Sequence, residues 1–221
     1  LGVLALGGVQ GVIGWYMVKS GLVERVDVSQ YRLALHLTTA FAILGLLVWL
    51  ALEEWPDAAR RAAGSVTPLI RRMGAIIVAA VILQVVLGAF VAGLKAGFIY
   101  NTWPTMNGQW FPSDYWTMPA YLTFFESHAA SQFNHRMMAY MVVLIVLTEL
   151  WLVMRSPVDS RTRTTAVLLA LAVFAQVALG IMTLLAHVPL ELGVVHQFGG
   201  AIVFVLAVVH LHAIRRAAVR E

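Results

Sequence analysis

QFNHRMMAY, Gln132–Tyr140, opens an apolar run that continues to Met154, and its reading decides the fold. His135 and Arg136 stand side by side at the mouth of that run, where an ionisable side chain is costly and therefore marks a site rather than filler. A second histidine, His196 in GVVHQFGGAIVF (Gly193–Phe204), occupies the matching position of another apolar run near the end of the chain.

Working outward, the 221 residues are 61% hydrophobic and 12% charged, with a mean hydropathy of +0.83. A soluble domain is roughly 45–50% apolar, so an integral membrane protein is expected. There is no cysteine, which excludes disulfides, iron–sulfur clusters, zinc-thiolate sites and thiolate-ligated haem within the chain. The net charge of +4 does not indicate a nucleic-acid partner, because the basic residues flank apolar segments, where they act as topology signals. The chain begins at Leu1 inside an apolar run with no basic leader or cleavage site, which reads as the interior of a longer protein.

Six runs approach the roughly 20 residues that a helix needs to cross a bilayer: about 1–18, 31–52, 73–94, 132–154, 165–186 and 193–214. No alternating pattern suggests a barrel, so the fold class is an all-α membrane protein with six transmembrane helices. Ten of the fifteen basic residues follow the second, fourth and sixth runs: Arg60, Arg61, Arg71, Arg72, Arg155, Arg161, Arg163, Arg215, Arg216 and Arg220. The positive-inside rule puts these in the cytoplasm and the motif histidines at the outer face. The inner stretch from Glu53 to Pro68 reads as a plain connector. The outer stretch Lys95–Ser131 is long and aromatic (GFIYNTWPTMNGQWFPSDYW), in the manner of either a lid or an interfacial belt.

An internal repeat appears once the runs are paired. Odd helices carry Gln and, four residues on, Gly: Gln10 and Gly14, Gln84 and Gly88, Gln176 and Gly180. Even helices carry His36, His135 and His196 about five residues inside their outer ends, about 7–8 Å deep at 1.5 Å per residue. The unit is a helical hairpin, and two hairpins make a four-helix bundle. Two histidines at equal depth on facing helices can hold one planar haem from both sides, the bis-histidine arrangement of a b-type haem. Arg136 is the candidate partner for the anionic haem propionates; Arg32, one turn above His36, is read as either a second such partner or an interfacial cation. The glutamine–glycine pairs read as packing elements, and a supporting shell around bound haem has the same appearance in the sequence. His128 and His187 are placed in outer loops, and His210 and His212 at the inner interface. Glu126, an outer acid nine residues before His135, is a candidate proton-relay or hydrogen-bonding group.

The stretches QGVIGWYMVKSGL (Gln10–Leu22), VSQYRLALHL (Val28–Leu37), GAFVAGLKAGFIYNTWPTMNG (Gly88–Gly108), QFNHRMMAY and LGIMTLLAHVPLELGVVHQ (Leu179–Gln197) resemble the haem A synthases of the mitochondrial and alphaproteobacterial type. That resemblance implies an eight-helix enzyme of two similar halves, from which the first two helices are absent here. Residues 1–52 would be the remainder of an N-terminal half for the substrate haem O, 53–72 a connector, and 73–221 a complete C-terminal bundle for cofactor haem b. His135 and His196 would be the axial ligands of haem b and His36 a ligand of the haem O iron. His36's partner histidine and the family's outer-loop glutamate are missing, so the catalytic residues stay unassigned, with His36 and Glu126 as candidates.

The implied reaction oxidises the C8 methyl of haem O to a formyl group, through two oxidations with water-derived oxygen. A methyl hydrogen on the macrocycle is not acidic, so a redox centre is required. The implied setting is a bacterial inner membrane with the histidine sites toward the periplasm. Implied partners are membrane lipid, haem O, the protohaem farnesyltransferase that makes it, and an unidentified electron acceptor; the oligomeric state, a homo-oligomer included, stays open. Two other classes compete: a di-haem electron-transfer protein of the cytochrome b561 type, which needs ligand pairs near both faces, and a haem-free membrane protein using the repeats for packing alone.

Overall fold

The computed structural model describes residues 2–19, 28–54 and 65–219. Arg25, Arg60, Arg61, Arg220 and most of the expected inner connector lie outside these residues. The described chain is mainly helical: α1 (Gly2–Lys19), α2 (Gln30–Glu53), α3 (Pro68–Gly93), the short α4 (Thr123–Glu126), α5 (His128–Met154), α6 (Ser160–Leu185) and α7 (Leu190–Arg216). Two-residue strands β1 (Ser65–Val66) and β2 (Ala218–Val219) pair in parallel beyond the far ends of α3 and α7.

Polar side chains set where the long helices begin. Thr67 accepts a hydrogen bond from the Ile70 N–H, with Pro68 opening α3. Ser127 accepts from the Ala130 N–H, and Asp159 from the Thr162 N–H, the usual remedy for the unpaired first-turn donors of a helix. The Ser127 cap starts α5 at His128 rather than at the expected Gln132, so His128 is helical.

Helices α2, α3, α5, α6 and α7 are long and apolar enough to cross a membrane. The expectation of six spans is met at five by that measure: α1 has 18 residues, and Gln10 and Lys19 lower its apolarity. Helix α3 packs on α5, α5 on α6, α6 on α7, and α7 on α3, closing a four-helix ring in which α5 and α7 stand diagonally opposite. Helix α2 lies outside the ring against α3 and α7, and α1 lies against α2. The ring's centre is an aliphatic core running through Ile77, Val81, Val146, Leu169 and Val203, joined to α2 where Phe41 meets Phe204 at 5.3 Å between ring centroids. At the crossing of α3 and α2 a Cβ on Gly93 would stand 2.5 Å from the Gln30 Cα, so only glycine permits that approach.

The arginine-rich end corrects one expectation. His210 and His212 are not interfacial; they are 1% and 0% exposed. His210 Nδ1 lies 2.9 Å from the Thr165 hydroxyl of α6, and its Nε2 lies 3.6 Å from the buried carboxylate of Glu149 on α5. His212 meets Glu53 of α2 at 3.1 Å and the edge of Trp49, and Arg216 donates to the same carboxylate at 3.2 Å. Thr165 and Glu53 each give one histidine a hydrogen-bond partner, while both oxygens of Glu149 are buried without one.

Candidate functional site

Three units with the same contacts occupy the opposite end of the bundle. In each, a glutamine of one helix holds a histidine of the next. Gln10 Nε2 donates to the His36 backbone oxygen at 3.0 Å and lies 3.1 Å from its Nδ1. Gln84 Nε2 stands in the same relation to His135, at 3.1 and 3.1 Å, and Gln176 Nε2 to His196, at 2.7 and 3.1 Å. One turn along each glutamine helix, the glycine lies beneath the imidazole. A Cβ on Gly14, Gly88 or Gly180 would stand 3.1, 3.0 or 2.8 Å from Cε1 of His36, His135 or His196. The glutamine–glycine pairs are thus histidine seats, the supporting role that the sequence left open beside packing. Each imidazole stays half-buried in an otherwise apolar wall, leaving ring surface for a ligand.

Position in the fold separates the three. His135 on α5 and His196 on α7 belong to the diagonal helices of the ring. His36 lies outside the ring, between α1 and α2.

A polar cap lies over His135. Gln132 donates to the carbonyls of Ala96 and Tyr100, at 3.2 Å each. Asn134 accepts from the Tyr115 hydroxyl at 3.1 Å. The Arg136 guanidinium donates to the carbonyls of Tyr100 (2.8 Å), Thr102 (2.9 Å) and Thr105 (3.3 Å). Arg136 was expected to serve propionates; in the structure its terminal nitrogens hold the loop, while its Nε is buried without a partner. The loop itself turns at Asn107 and Gly108, both at positive φ (51° and 86°), with Met106 and Gln109 exchanging backbone bonds at 2.8 and 3.1 Å. That is the Asn-Gly turn of a tight hairpin. Trp110, Trp116, Met118 and Tyr121 remain exposed on its surface, so the segment is both pinned cover and aromatic belt.

Tyr100 sits under this cover with its hydroxyl hydrogen-bonded to Asp114. Burial, and then that bond and the carboxylate's charge, push its pKa up from 10.0 to about 12.

Both oxygens of Glu126 are engaged, one by Gln30 Nε2 at 3.0 Å and the other by the Tyr31 hydroxyl at 2.5 Å. The carboxylate ties the first turn of α2 to the segment before α5. Arg32 lies 4.9 Å from the Tyr16 ring centroid, a cation–π contact between α2 and α1. Glu149 lies outside the histidine repeat, but a carboxylate inside VLTELWLV (Val146–Val153) is a signal in its own right. The far end offers no facing histidine pair among the described residues: His210 and His212 share one helix, and opposite His210 on α5 stands Glu149.

A multi-helix membrane protein with seated histidines on diagonal helices of a bundle is the class that this geometry defines. The chain belongs to the COX15-CtaA family of cytochrome oxidase assembly proteins, whose profile matches residues 1–208. It is 48% identical over 221 residues to a haem A synthase of Maricaulis maris, covering 98% of this chain and 62% of that protein. It is 46% identical over 212 residues to a haem A synthase of Parvibaculum lavamentivorans, covering 96% of this chain and 59% of that protein. A haem A synthase of Brucella ovis is also 46% identical, with 98% and 60% covered. The chain thus spans about three fifths of the length of these relatives.

Proposed function

We propose that this chain carries the cofactor half, and part of the substrate half, of a haem A synthase that oxidises the C8 methyl of haem O to a formyl group. The observation that carries the proposal is the pair of seated histidines, His135 and His196, on the diagonal helices of a closed apolar ring. A planar macrocycle needs two axial nitrogens facing each other across a gap, apolar walls for its faces, and polar groups at one end for its carboxylates. The donor chemistry suits this: neutral imidazole ligates iron where no thiolate is present, and the glycines keep the space that side chains would fill.

Haem b, when bound there, supplies the one-electron redox chemistry that no side chain of the chain offers. The chain's own residues do the rest. The three glutamines hold the histidines, Gln132 and Arg136 keep the loop over the site and water out, and the Nε of Arg136 is the donor left for a propionate. His36, in an equivalent seat against α1, is the candidate ligand for the haem O iron. Glu126 acts by joining α2 to the α5 side, which sets the distance between the substrate and cofactor histidines. Residues 1–52 form the substrate part, 53–72 the connector and 73–221 the cofactor bundle. The arginine distribution supports a periplasmic histidine end in a bacterial inner membrane. A protohaem farnesyltransferase upstream and an electron acceptor downstream complete the chemistry, with oxygen drawn from water.

The two-haem electron-transfer reading loses support at the arginine-rich end, where both histidines are already bonded and, among the described residues, no diagonal histidine faces them. The test is a pyridine haemochrome assay on the purified protein. The unaltered protein carries haem b, His135→Ala and His196→Ala lose the Soret band, and His210→Ala retains it. A haem-free protein, or a band that survives both ligand substitutions, overturns the site. Failure of the intact enzyme to turn haem O into haem A under any redox condition overturns the activity.

A further inference from the structure

A slot of about 370 Å³ runs along the seam where α2 leans on the ring, between Thr38 and Trp49 of α2, Val78 and Ile82 of α3, and Val208 and Leu211 of α7. Thr38 to Trp49 is roughly 16 Å of helix at 1.5 Å per residue, so the slot is long and narrow. Small residues keep it open on the α2 wall. Ala42 is exposed there, and a Cβ on Gly45 would lie 2.9 Å from the Phe204 ring. Apart from Thr38 and the indole nitrogen of Trp49, the lining side chains are hydrocarbon. Such walls suit a hydrocarbon chain and penalise a polar occupant.

The charges at the arginine-rich mouth decide what that chain carries at its end. Helical residues three, four and seven apart share a face, so each wall can be followed outward. The α2 stripe passes from Trp49 to Glu53, the α3 stripe from Val78 back to Arg71, and the α7 stripe from Leu211 to Arg215. Glu53 is already engaged by His212 at 3.1 Å and by Arg216 at 3.2 Å. Arg71 and Arg215 have no such partner. Arg71 Nη2 donates to the main-chain oxygen of Arg215 at 3.3 Å, which brings the two residues together, and neither meets a carboxylate among the described residues. Exposed Glu54 is balanced in charge by exposed Arg72. Uncompensated positive charge thus closes an apolar slot at the helix ends, where lipid headgroups lie, and basic pockets between membrane helices select anionic headgroups.

We propose that this seam is the site of one anionic phospholipid: an acyl chain lies in the slot between α2, α3 and α7, and the guanidinium groups of Arg71 and Arg215 bind the phosphate, for which the fork of an arginine is suited. The lipid braces α2 against the ring. The site lies toward the end opposite the seated histidines and is independent of what they bind.

The test is native mass spectrometry of the purified protein, delipidated in a neutral detergent and offered phosphatidylglycerol or phosphatidylcholine with identical chains. The unaltered protein retains one phosphatidylglycerol under activation that strips phosphatidylcholine, and phosphatidylglycerol raises its unfolding temperature. Arg71→Gln and Arg215→Gln each weaken phosphatidylglycerol by about fivefold, the effect of one arginine at an anionic surface, and leave phosphatidylcholine unchanged. Ala42→Phe fills the slot and abolishes the retained lipid while the far-UV circular dichroism stays that of the unaltered protein; Ala42→Leu gives the same answer should the larger side chain unfold it. Glycerol 3-phosphate, a headgroup without chains, produces no shift in unfolding temperature. Equal retention of the two lipids, phosphatidylglycerol binding that survives the paired arginine substitution, or a shift with glycerol 3-phosphate as large as with the lipid overturns the proposal. Lipid retention untouched by either Ala42 variant, or an isoprenoid quinone held in preference to phosphatidylglycerol, overturns it as well.

Discussion

Replacing Gly180 with alanine tests the seat most directly. The new Cβ would lie 2.8 Å from Cε1 of His196, where two carbon atoms in contact prefer about 3.5–4.0 Å. One of them must therefore move by about 0.7–1.2 Å. The backbone of His196 is held by Gln176 at 2.7 Å, so the displacement falls on the imidazole. Metal–ligand distances tolerate about 0.2 Å, so the ring cannot absorb such a shift and keep its bond. Forcing a methyl into a packed site costs about 1–3 kcal/mol, which corresponds to a fall in haem affinity of about 5- to 150-fold. The alanine also gains about 0.5–1 kcal/mol of helix stability, so the protein stays folded while the haem is lost. The series is graded: Gly88→Ala, at 3.0 Å, loses less than Gly180→Ala, and Gly193→Ala, with nothing within 4 Å of its Cβ, loses nothing. The assay is transfer of haem to an excess of apo-myoglobin, followed at the Soret band. Gly180→Ala releasing haem no faster than Gly193→Ala would refute the seat.

Two further outcomes follow from the loop. Arg136→Ala removes the donors to the carbonyls of Tyr100, Thr102 and Thr105, bonds from a charged group worth about 1.5–3 kcal/mol each at most; limited proteolysis then cuts within residues 100–110 in the variant and not in the unaltered protein. Tyr100 binds its proton more tightly folded than unfolded, because burial and Asp114 raise its pKa from 10.0 to about 12. Its share of the loop's stability is whole below pH 10, declines above it and is gone once the pH passes about 12; phenolate absorbance shows one late-titrating tyrosine that Tyr100→Phe removes.

The membrane class was legible from composition, and the hairpin repeat from the placement of Gln, Gly and His, because a bilayer leaves few reasons to keep such residues in apolar runs. The diagonal placement of His135 and His196 was not, since a sequence gives the depth of a residue and not which helices stand opposite. Arg136 shows a second limit. An arginine beside a candidate ligand suggests an anion, but the main-chain carbonyls that its terminal nitrogens also hold leave no mark in the side-chain pattern. His210 and His212 looked interfacial because Arg215 and Arg216 follow them; their partners, Thr165, Glu149 and Glu53, come from three other helices. The Asn107–Gly108 turn, in contrast, was written in the sequence and lay hidden inside a loop read only for its aromatics.

The bonds that Gln132, Asn134 and Arg136 make to the Ala96–Tyr115 segment all leave from the two helical turns that carry His135. The aqueous cover and that histidine's backbone therefore order together, as one cooperative unit. Linkage then works in both directions: a molecule that grips the cover stiffens the histidine beneath it, and a ligand that fixes the histidine protects the cover from solvent by the same free energy. Hydrogen exchange in the loop would in this way report the state of a nitrogen buried inside the bundle.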